Sequence, residues 1–294
     1  MNTRSPRIPD QSQIEQDVSR ALQEDIGSGD VTASLISEDT QASATIVARQ
    51  PAVLCGIPWA SECFRQLHPD IEVDWQTEDG RDIRAESVIC HIRGQARGIL
   101  SAERTALNFL QTLSATATAT RAFVDKLRGT RTDVVDTRKT LPGLRVAQKY
   151  AVVCGGGVNH RFGLYDAILI KENHILATGS IAEAIARARQ QHPDVPLQAE
   201  AENLAEVEAA LAGEPDLILL DNFETHLLAR AANMVREHRR RGGNEVLLEA
   251  SGNIDMRNVR EIADTGVHRV SIGGLTKHVQ AVDLSLRFSS GPQD

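Results

Sequence analysis

Short apolar runs alternate with amphipathic segments along the second half of the chain, from about residue 133 onward. The segments between the runs, at residues 180–191, 203–212, 224–241 and 255–265, have apolar residues at helical spacing. This alternation is typical of right-handed β-α-β units that build a parallel sheet. Periodicity leaves open whether the sheet is open or curls into an incomplete barrel. The predicted strands are Asp133–Thr137, Asp166–Lys171, Leu197–Glu202, Asp216–Asn222, Glu245–Ser251 and His268–Gly274.

The first part of the chain has a different pattern. Residues 12–24 have helical spacing, and residues 45–55 and 71–75 have the composition of strands. Residues 78–80, Glu-Asp-Gly, are typical of a tight hairpin turn. A long helix is predicted from Ser101 to about Leu127, and its small residues allow a neighbouring element to approach closely.

The two patterns predict an α/β protein with two domains. An α+β domain is expected at residues 1–115, together with a returning tail at residues 276–294, and a βα-repeat domain at residues 116–275. The tail is amphipathic, so it is expected to cover other apolar residues of the protein.

Composition excludes several classes of protein. A formal net charge of -8, with no basic face or pattern of stacking aromatics, argues against a nucleic-acid-binding protein. No window is apolar enough to cross a membrane, and the N-terminus lacks the apolar core of a signal peptide. The four cysteines form no CxxC pair and no metal-ligand spacing, which favours buried free thiols in a reducing compartment. We therefore expect a cytoplasmic protein.

Against this acidic background, residues 136–175 hold a local excess of cationic side chains. Two cations about 6 Å apart repel by roughly 1–3 kcal/mol, depending on the local dielectric. Such repulsion is relieved by a bound anion, although charges that point into solvent along a helix need none. We expect both situations within this set, which comprises Arg138, Lys139, Arg145, Lys149, His160, Arg161, Lys171 and His174.

Polar residues follow almost every apolar run of the second half. In parallel α/β folds the carboxyl ends of the strands share one edge of the sheet, and active sites form there. Any one of these residues alone is better explained as a helix cap. Because six strand ends all carry polar residues, an active site at this edge of the sheet is favoured. They carry Thr137-Arg138-Lys139, Lys171-Glu172-Asn173-His174, Glu200 with Glu202, Asp221-Asn222, Ser251-Gly252 and Gly273-Gly274.

The chemistry of these residues divides them into three groups. Glu200 and Asp221 suit Mg²⁺, which is commonly held by one or two carboxylates plus substrate phosphates, and Glu202 has the same strand parity as Glu200. Backbone N–H groups at the last two strand ends are expected to receive a phosphate. The cations suit a polyanion, since arginine can bind a carboxylate or phosphate through two hydrogen bonds. The phosphate-binding group is Ser251, Gly252, Gly273 and Gly274, and the cationic group is Arg138, Lys139, Arg161 and Lys171.

The three glycines at residues 155–157 follow a helix-like stretch and lack the spacing of a dinucleotide fingerprint. They are interpreted as a helix end and a close-packing turn. Nucleophile-elbow, P-loop and paired-histidine metal motifs are also absent from the sequence. The strand ends therefore favour binding of phosphate, carboxylate and a metal ion over a covalent nucleophile.

At these residues the sequence closely resembles the quinolinate phosphoribosyltransferases, also called carboxylating nicotinate-nucleotide pyrophosphorylases. The resemblance runs from about residue 12 to residue 288. Where family members often carry Glu-Val-Glu-Val-Glu, this chain has Gln198-Ala-Glu-Ala-Glu202, so the first carboxylate is absent. The matching motifs are GSGDVT (27–32), SAERTALNFLQTLSATAT (101–118), DTRKTLPGLR (136–145), KYAVVCGGGVNHR (149–161), DAILIKENHI (166–175), DNFE (221–224), ASGN (250–253) and GGLTKHVQAVD (273–283).

The resemblance implies transfer of phosphoribosyl from phosphoribosyl pyrophosphate to quinolinate, giving nicotinate mononucleotide, pyrophosphate and carbon dioxide in NAD biosynthesis. It also implies dependence on Mg²⁺, an N-terminal α/β sandwich joined to an open α/β barrel, and a homodimer. A helix arginine would complete the active site of the opposite subunit, which matches Arg104. The predicted helix places Arg104 in its first turn, where the macrodipole disfavours a cation, and this suggests an anion nearby.

The resemblance also implies a role for each site residue. Lys139, Lys171, Glu200 and Asp221 would be the catalytic residues, with Glu200 and Asp221 holding Mg²⁺ and the ribose. Arg104, Arg138, His160 and Arg161, with Lys171 close by, would bind the two quinolinate carboxylates. Lys139 and Lys171 would face the phosphates, and Thr137 would also bind substrate. The 5′-phosphate would be held by Ser251, Gly252, Gly273 and Gly274, with Lys277 at the rim.

Three other functions stay open at this point. The first is a barrel lyase or aldolase in which Lys139 or Lys171 forms a Schiff base. The second is a non-catalytic sensor of a phosphoribosyl ligand. The third is a related phosphoribosyltransferase with a different base preference, which the extra arginines argue against because a second substrate carboxylate needs more cations.

Overall fold

The computed structural model describes residues 7–289, so the outer ends of the predicted domains lie outside the described residues. The helices are α1 (Gln11–Ile26), α2 (Ile57–Leu67), α3 (Ala96–Lys126), α4 (Arg145–Cys154), α5 (Glu172–Thr178), α6 (Ile181–Gln191), α7 (Leu204–Ala212), α8 (Thr225–Arg240), α9 (Val259–Asp264) and α10 (Gly274–Lys277). The strands are β1 (Gln41–Ala48), β2 (Ala52–Val53), β3 (Glu72–Trp75), β4 (Asp82–Ile83), β5 (Val88–Gln95), β6 (Asp133–Val135), β7 (Ile168–Ile170), β8 (Leu197–Ala201), β9 (Leu217–Asp221), β10 (Leu247–Ser251), β11 (Arg269–Ser271) and β12 (Leu284–Ser289).

The described chain divides into two compact units. The first unit contains the described residues up to Arg121, then Thr140–Gly156, and then the described residues from Leu275 onward. The second unit contains Ala122–Lys139 and Gly157–Gly274. The domain bounds expected from the sequence stay predictions.

In the first unit, an antiparallel sheet in the order β12-β1-β5-β3 covers one hydrophobic core. The core face of β1 includes Ala44 and Ile46, which lie opposite Ile92 and Cys90 of β5. The predicted amphipathic tail forms β12 beside β1 and buries Leu284. The tail thus adds a strand to the antiparallel sheet with an apolar side chain buried in the core, and a strand with one face on the core is expected to be amphipathic.

One strand prediction and one turn prediction in this unit were wrong. Residues 45–55 form two strands, because β1 ends at Ala48 and Pro51, which has no N–H to donate to a sheet, precedes β2. The Glu78–Gly80 segment does not close a hairpin, because β3 pairs with β5 whereas β4 pairs with β2. The turn instead links two different sheets, and Gly80 has a φ of 85° within it.

The long helix was predicted, but its start was placed too late. α3 begins at Ala96, directly after β5, and the Ser101 hydroxyl donates to Asp30 Oδ2 at 2.7 Å instead of capping the helix. Arg104 is therefore beyond the first turn, where the macrodipole effect has faded, and the argument for an anion from helix position fails. The small residues of α3 do admit a neighbour: a Cβ added at Gly155 would lie 2.5 Å from the Ala117 carbonyl oxygen.

In the second unit, a six-stranded parallel sheet has the order β6-β11-β10-β9-β8-β7. Each of the six predicted apolar runs contains one of these strands, and the fold class predicted from the sequence is confirmed. Leu217–Leu220 of β9 are all buried, as expected for a strand covered on both faces. Among the described strands β6 and β7 form the two edges and do not pair with each other, so the barrel is open.

The four cysteines are free and buried, as predicted. The donor atoms of Cys55, Cys154 and Asp79 lie within 4.8 Å of one another, a grouping that their sequence spacing did not reveal. Asp79 is already engaged, because it accepts hydrogen bonds from the Tyr150 hydroxyl at 2.8 Å and from the Ile57 N–H at 3.2 Å. These two hydrogen bonds explain the position of the Asp79 carboxylate without a metal ion.

Within residues 7–289, no helix has both the length and the hydrophobicity that a membrane crossing requires.

Candidate active site

The carboxyl ends of the six parallel strands carry most of the predicted site residues. Parallel pairing places these ends along one edge of the sheet; for example, Ser251 at the end of β10 is aligned with Asp221 at the end of β9. The residues at or just after the strand ends of the second unit are Thr137, Arg138, Lys139, Lys171, Glu200, Asp221, Ser251, Gly252, Gly273 and Gly274.

An ion pair joins the ends of β7 and β8. The Lys171 ammonium group is hydrogen-bonded to the Glu200 carboxylate, and β7 lies beside β8 in the sheet. The Lys171 side chain is 48% exposed, whereas the Glu200 side chain is only 12% exposed. The carboxylate is thus held at the inner end of the pair, and the ammonium group stays accessible to a ligand.

The loops after β9 and β10 approach each other closely. The Asn222 backbone N–H donates to the Ser251 carbonyl oxygen at 2.9 Å, and the Asn222 side chain donates to Asp221 Oδ2 at 2.9 Å. Gly252 has a φ of 93°, and a Cβ added there would collide with Asn222 Oδ1. Glycine is therefore required at this position both by backbone conformation and by space.

The segments that follow β6 and β11 also approach each other closely, again at a glycine. A Cβ added at Gly273 would lie 2.9 Å from Lys139 Cδ and 3.4 Å from Thr137 Oγ1. The Thr137 hydroxyl oxygen accepts a hydrogen bond from the Lys139 N–H at 3.0 Å. Gly274 follows and begins α10, in whose last turn Lys277 lies. The absence of a side chain at Gly273 leaves room for the Lys139 side chain.

Asp136, a fully buried residue outside the predicted site set, anchors the segment that carries His160. Its Oδ2 accepts from the Asn159 side chain at 2.6 Å, and its Oδ1 accepts from the His160 N–H at 2.9 Å. Val158 extends the anchor by a parallel bridge to Val135 of β6. The sequence signal was an aspartate that directly follows a buried strand.

One arginine of the predicted site, Arg138, lies close enough to Arg161 to shift its pKa. Burial, and next the positive charge of Arg138, lower the pKa of the Arg161 guanidinium, while Asp166 opposes the shift. Arg161 is further held by donation to the Ala167 carbonyl oxygen at 3.1 Å. Two like charges near each other and partly out of water are stabilised by an anion between them.

His160 lies directly before Arg161 and is almost fully buried. Its Nδ1 accepts a hydrogen bond from the Arg161 N–H at 2.8 Å, and its Nε2 lies 3.5 Å from Oε1 of Glu249. Sequence reasoning missed Glu249, whose only signal was a single acid inside the apolar run of β10. Burial raises the pKa of Glu249 to about 7; Ser271 and Arg269 oppose the shift, and Asp136 adds to it.

Not all predicted residues belong to the second unit. Arg104 on α3 and Lys277 on α10 belong to the first unit, and both are exposed. Arg145 and Lys149 of the cationic segment also belong to the first unit, whereas its other six members belong to the second. Lys149 is fully buried, and Arg145 donates to the Thr140 hydroxyl at 3.2 Å.

Two carboxylates at the strand ends of the second unit could hold a magnesium ion. Glu200 and Asp221 offer oxygen ligands at the ends of the neighbouring strands β8 and β9. Glu202 lies one residue beyond β8, is exposed, and its N–H donates to Glu206 Oε2 at 2.8 Å. Among the described residues, the only compact group of three metal-ligating side chains is Cys55, Asp79 and Cys154. Two carboxylates alone do not complete the coordination of a metal ion, and Mg²⁺ commonly takes its further ligands from substrate phosphates and water.

Comparison with known proteins assigns the chain to a family. Residues 30–114 match the model of the quinolinate phosphoribosyl transferase N-terminal domain, and residues 116–287 match that of the C-terminal domain. The chain belongs to the quinolinate phosphoribosyltransferase family. The resemblance stated from the sequence motifs is thereby confirmed.

Members of this family with known names and structures match nearly the whole chain. A nicotinate-nucleotide pyrophosphorylase [carboxylating] of Mycobacterium leprae is 40% identical over 273 residues, covering 92% of this chain and 95% of that protein. A probable nicotinate-nucleotide pyrophosphorylase [carboxylating] of Synechocystis is 38% identical, covering 91% of this chain and 90% of that one. The structure of the nicotinate-nucleotide pyrophosphorylase from Francisella tularensis superimposes with a TM-score of 0.91 at 42% identity, covering 97% of this chain and 98% of that one.

Proposed function

We propose that this chain transfers phosphoribosyl from phosphoribosyl pyrophosphate to quinolinate and removes one carboxylate, giving nicotinate mononucleotide, pyrophosphate and carbon dioxide. The reaction is a step of NAD biosynthesis. The observation that carries the proposal is the match of both family domains along the chain. The cation-lined strand ends of the second unit are consistent with substrates that carry carboxylates and phosphates.

Quinolinate has two neighbouring carboxylates, and the proposed site meets them with arginines. Burial, and next the positive charge of Arg138, lower the pKa of Arg161, so a dianion between the two arginines would relieve this repulsion. The family resemblance adds Arg104 of the opposite subunit to the proposed carboxylate-binding set, and it places His160 and Lys171 beside the two arginines. Planar guanidinium groups suit this role because each can donate two parallel hydrogen bonds to one carboxylate.

The phosphates of the second substrate would be bound at the remaining strand ends. The Lys139 side chain extends past Gly273, and the Lys171 ammonium group is half-exposed, so both can approach a pyrophosphate. Ser251 and Gly252, at the end of β10, would hold the 5′-phosphate through their backbone N–H groups. Thr137, Gly274 and Lys277 would complete the phosphate contacts.

Glu200 and Asp221 would hold Mg²⁺ and the ribose hydroxyl groups. When bound, the ion neutralises part of the negative charge that develops on the departing pyrophosphate. Lys139 and Lys171 would contribute to the same neutralisation from fixed positions, which costs little reorganisation during the reaction.

The proposed chemistry has two stages. The C1′–oxygen bond breaks with both electrons leaving on pyrophosphate, and the quinolinate ring nitrogen forms the new bond to C1′. The nitrogen becomes positively charged, so it stabilises the electron pair left on the ring when the adjacent carboxylate departs as carbon dioxide. A proton then takes the place of that carboxylate. Carboxylates near C1′ would stabilise the developing ribosyl cation in the first stage.

We also propose a homodimer in which Arg104 completes the active site of the opposite subunit, and a cytoplasmic location. The exposed side chain of Arg104 on α3 supports the first proposal, because it is available to a partner. Four free, buried cysteines support the second, since a reducing compartment keeps thiols unpaired.

One assay separates this function from its alternatives. Quinolinate labelled at the 2-carboxylate and unlabelled nicotinate are each offered with phosphoribosyl pyrophosphate and Mg²⁺, and carbon dioxide and pyrophosphate are measured. Equal release of both products with quinolinate alone supports the proposal. Pyrophosphate release with nicotinate and none with quinolinate indicates the related transferase, and no pyrophosphate release with either acceptor indicates a sensor. A borohydride-trapped adduct on Lys139 or Lys171 indicates the Schiff-base lyase.

A further inference from the structure

Glu249 is a carboxyl group in the middle of an otherwise apolar strand. It lies on β10, is fully buried, and is aligned with Leu219 of β9 and Arg269 of β11. An acid in this position costs free energy of folding, because either its charge or its polar atoms must be taken out of water. Such a residue requires a compensating role.

Neither carboxyl oxygen of Glu249 has a hydrogen-bond partner that meets ordinary geometry within the described residues. The neighbouring Ser271 hydroxyl donates to the Ala250 carbonyl oxygen at 3.4 Å instead. Ser271 and Arg269 lie near enough to lower the Glu249 pKa, and His160 Nε2 lies 3.5 Å from Oε1. A small movement of the imidazole would complete this hydrogen bond.

The other atoms of His160 fix the state of its ring. Nδ1 accepts from the Arg161 N–H, so it carries no proton in the neutral ring, and the proton then resides on Nε2, which faces Glu249. The His160 backbone N–H is bound by Asp136. Both ring nitrogens therefore face protein groups, and one of them holds the backbone of Arg161 directly.

We propose that Glu249 and His160 form a buried pair that positions the Arg161 guanidinium for quinolinate, with His160 acting as a positioning residue through its contact with the Arg161 backbone. The proposal rests on the proposed function only through the role of Arg161. The chain of contacts runs from the β10 core, through the imidazole, to the backbone of the arginine. It accounts for an acid at a buried position beside a histidine that directly precedes Arg161.

The test compares two variants at position 249. Glu249→Gln keeps an oxygen that can accept from Nε2–H, whereas Glu249→Leu keeps the volume but removes the acceptor. We expect Glu249→Leu to raise the KM for quinolinate about tenfold while the KM for phosphoribosyl pyrophosphate changes less than about twofold, and Glu249→Gln to stay within about threefold of wild type for both. Leu219→Met is the matched control, because it disturbs the same packing without changing an acceptor.

Equal kinetics for Glu249→Leu and wild type would overturn the proposal, and so would equal losses for both substrates. A second measurement needs no activity. ¹⁵N spectra of histidine-labelled wild-type protein, with the His160 signal assigned from the His160→Gln variant, should show the Nε2–H form, and an Nδ1–H form would also overturn the proposal. Arg161→Lys distinguishes failure of the proposed function from failure of the positioning role. If Arg161→Lys leaves the KM for quinolinate unchanged, the proposed quinolinate site is wrong. If Arg161→Lys raises this KM and Glu249→Leu does not, only the positioning role is wrong.

Discussion

The Lys171 ammonium group forms an ion pair with the Glu200 carboxylate across the ends of two neighbouring parallel strands. In the proposed site each residue would have a ligand of opposite charge, because Lys171 would face a phosphate and Glu200 would face Mg²⁺. A magnesium–pyrophosphate complex would therefore separate the pair and give each member a new partner of opposite charge. The ion pair holds both groups at the strand ends.

Removing the Glu200 charge should weaken the response to magnesium. We expect Glu200→Gln to raise the Mg²⁺ concentration for half-maximal rate about fivefold or more, because one of two carboxylate ligands is lost. Glu202→Gln is the control, since Glu202 is exposed and lies beyond β8. Initial rates across a Mg²⁺ titration measure the effect, and identical titration curves for Glu200→Gln and wild type would refute the metal assignment.

Replacing Arg138 by lysine should remove most of the activity. A lysine keeps the charge but loses the planar fork that binds a carboxylate through two hydrogen bonds, so we expect kcat/KM for quinolinate to fall about a hundredfold. Arg187→Lys, on the exposed face of α6, should be silent. Steady-state kinetics with varied quinolinate are the measurement, and a near-normal kcat/KM would remove Arg138 from the carboxylate site.

Adding a methyl group at Gly252 should impair phosphate binding. Gly252→Ala places a Cβ against Asn222 Oδ1 at a φ of 93°, so the loop must shift. We expect the KM for phosphoribosyl pyrophosphate to rise about tenfold and the free energy of unfolding to fall by about 1–3 kcal/mol. Gly242→Ala is a matched control, because Gly242 has a φ of 92° and no atom near the added Cβ. If both variants lose only stability, Gly252 has no role in phosphate binding.

Stability should depend on pH through Glu249. The pKa of its carboxyl group is raised from 4.5 to about 7 in the folded protein, chiefly by burial, so the folded state binds the proton more tightly than the unfolded state. This contribution is fully present below pH 4.5 and is lost as pH rises through 7. Relative to Glu249→Gln, wild type should lose about 3 kcal/mol of unfolding free energy between these values. Urea unfolding of both proteins across this range is the measurement, and parallel pH profiles would contradict the expectation.

A shared active site should permit complementation between subunits. Arg104→Ala and Lys139→Ala should each be nearly inactive alone, and a mixture allowed to exchange subunits should regain part of the wild-type rate. Recovery is expected because a mixed dimer contains one site with neither substitution. Activity is followed after mixing, with each variant incubated alone as the control, and no recovery would argue against sharing.

The errors of sequence reasoning have identifiable physical causes. The start of α3 was missed because β5 leads directly into the helix without a capping residue, so Ser101 was mistaken for the start. The turn at Glu78–Gly80 has hairpin residues, but strand pairing is decided by the sheet edges available and not by the turn alone. α2 was not predicted, although Pro58 lies in its first turn, a favoured position for proline.

The sequence by itself determined the six parallel strands of the second unit and the residues at their ends, because an apolar run followed by polar groups is a local property of the chain. It also determined the family, through motifs of contiguous residues. Only the tertiary structure decided the partners: Asp136 with the His160 backbone, Glu249 with the His160 ring, and Asn222 against Gly252. These pairs join residues far apart in the chain, so their distances follow from how the strands pair and not from any local pattern.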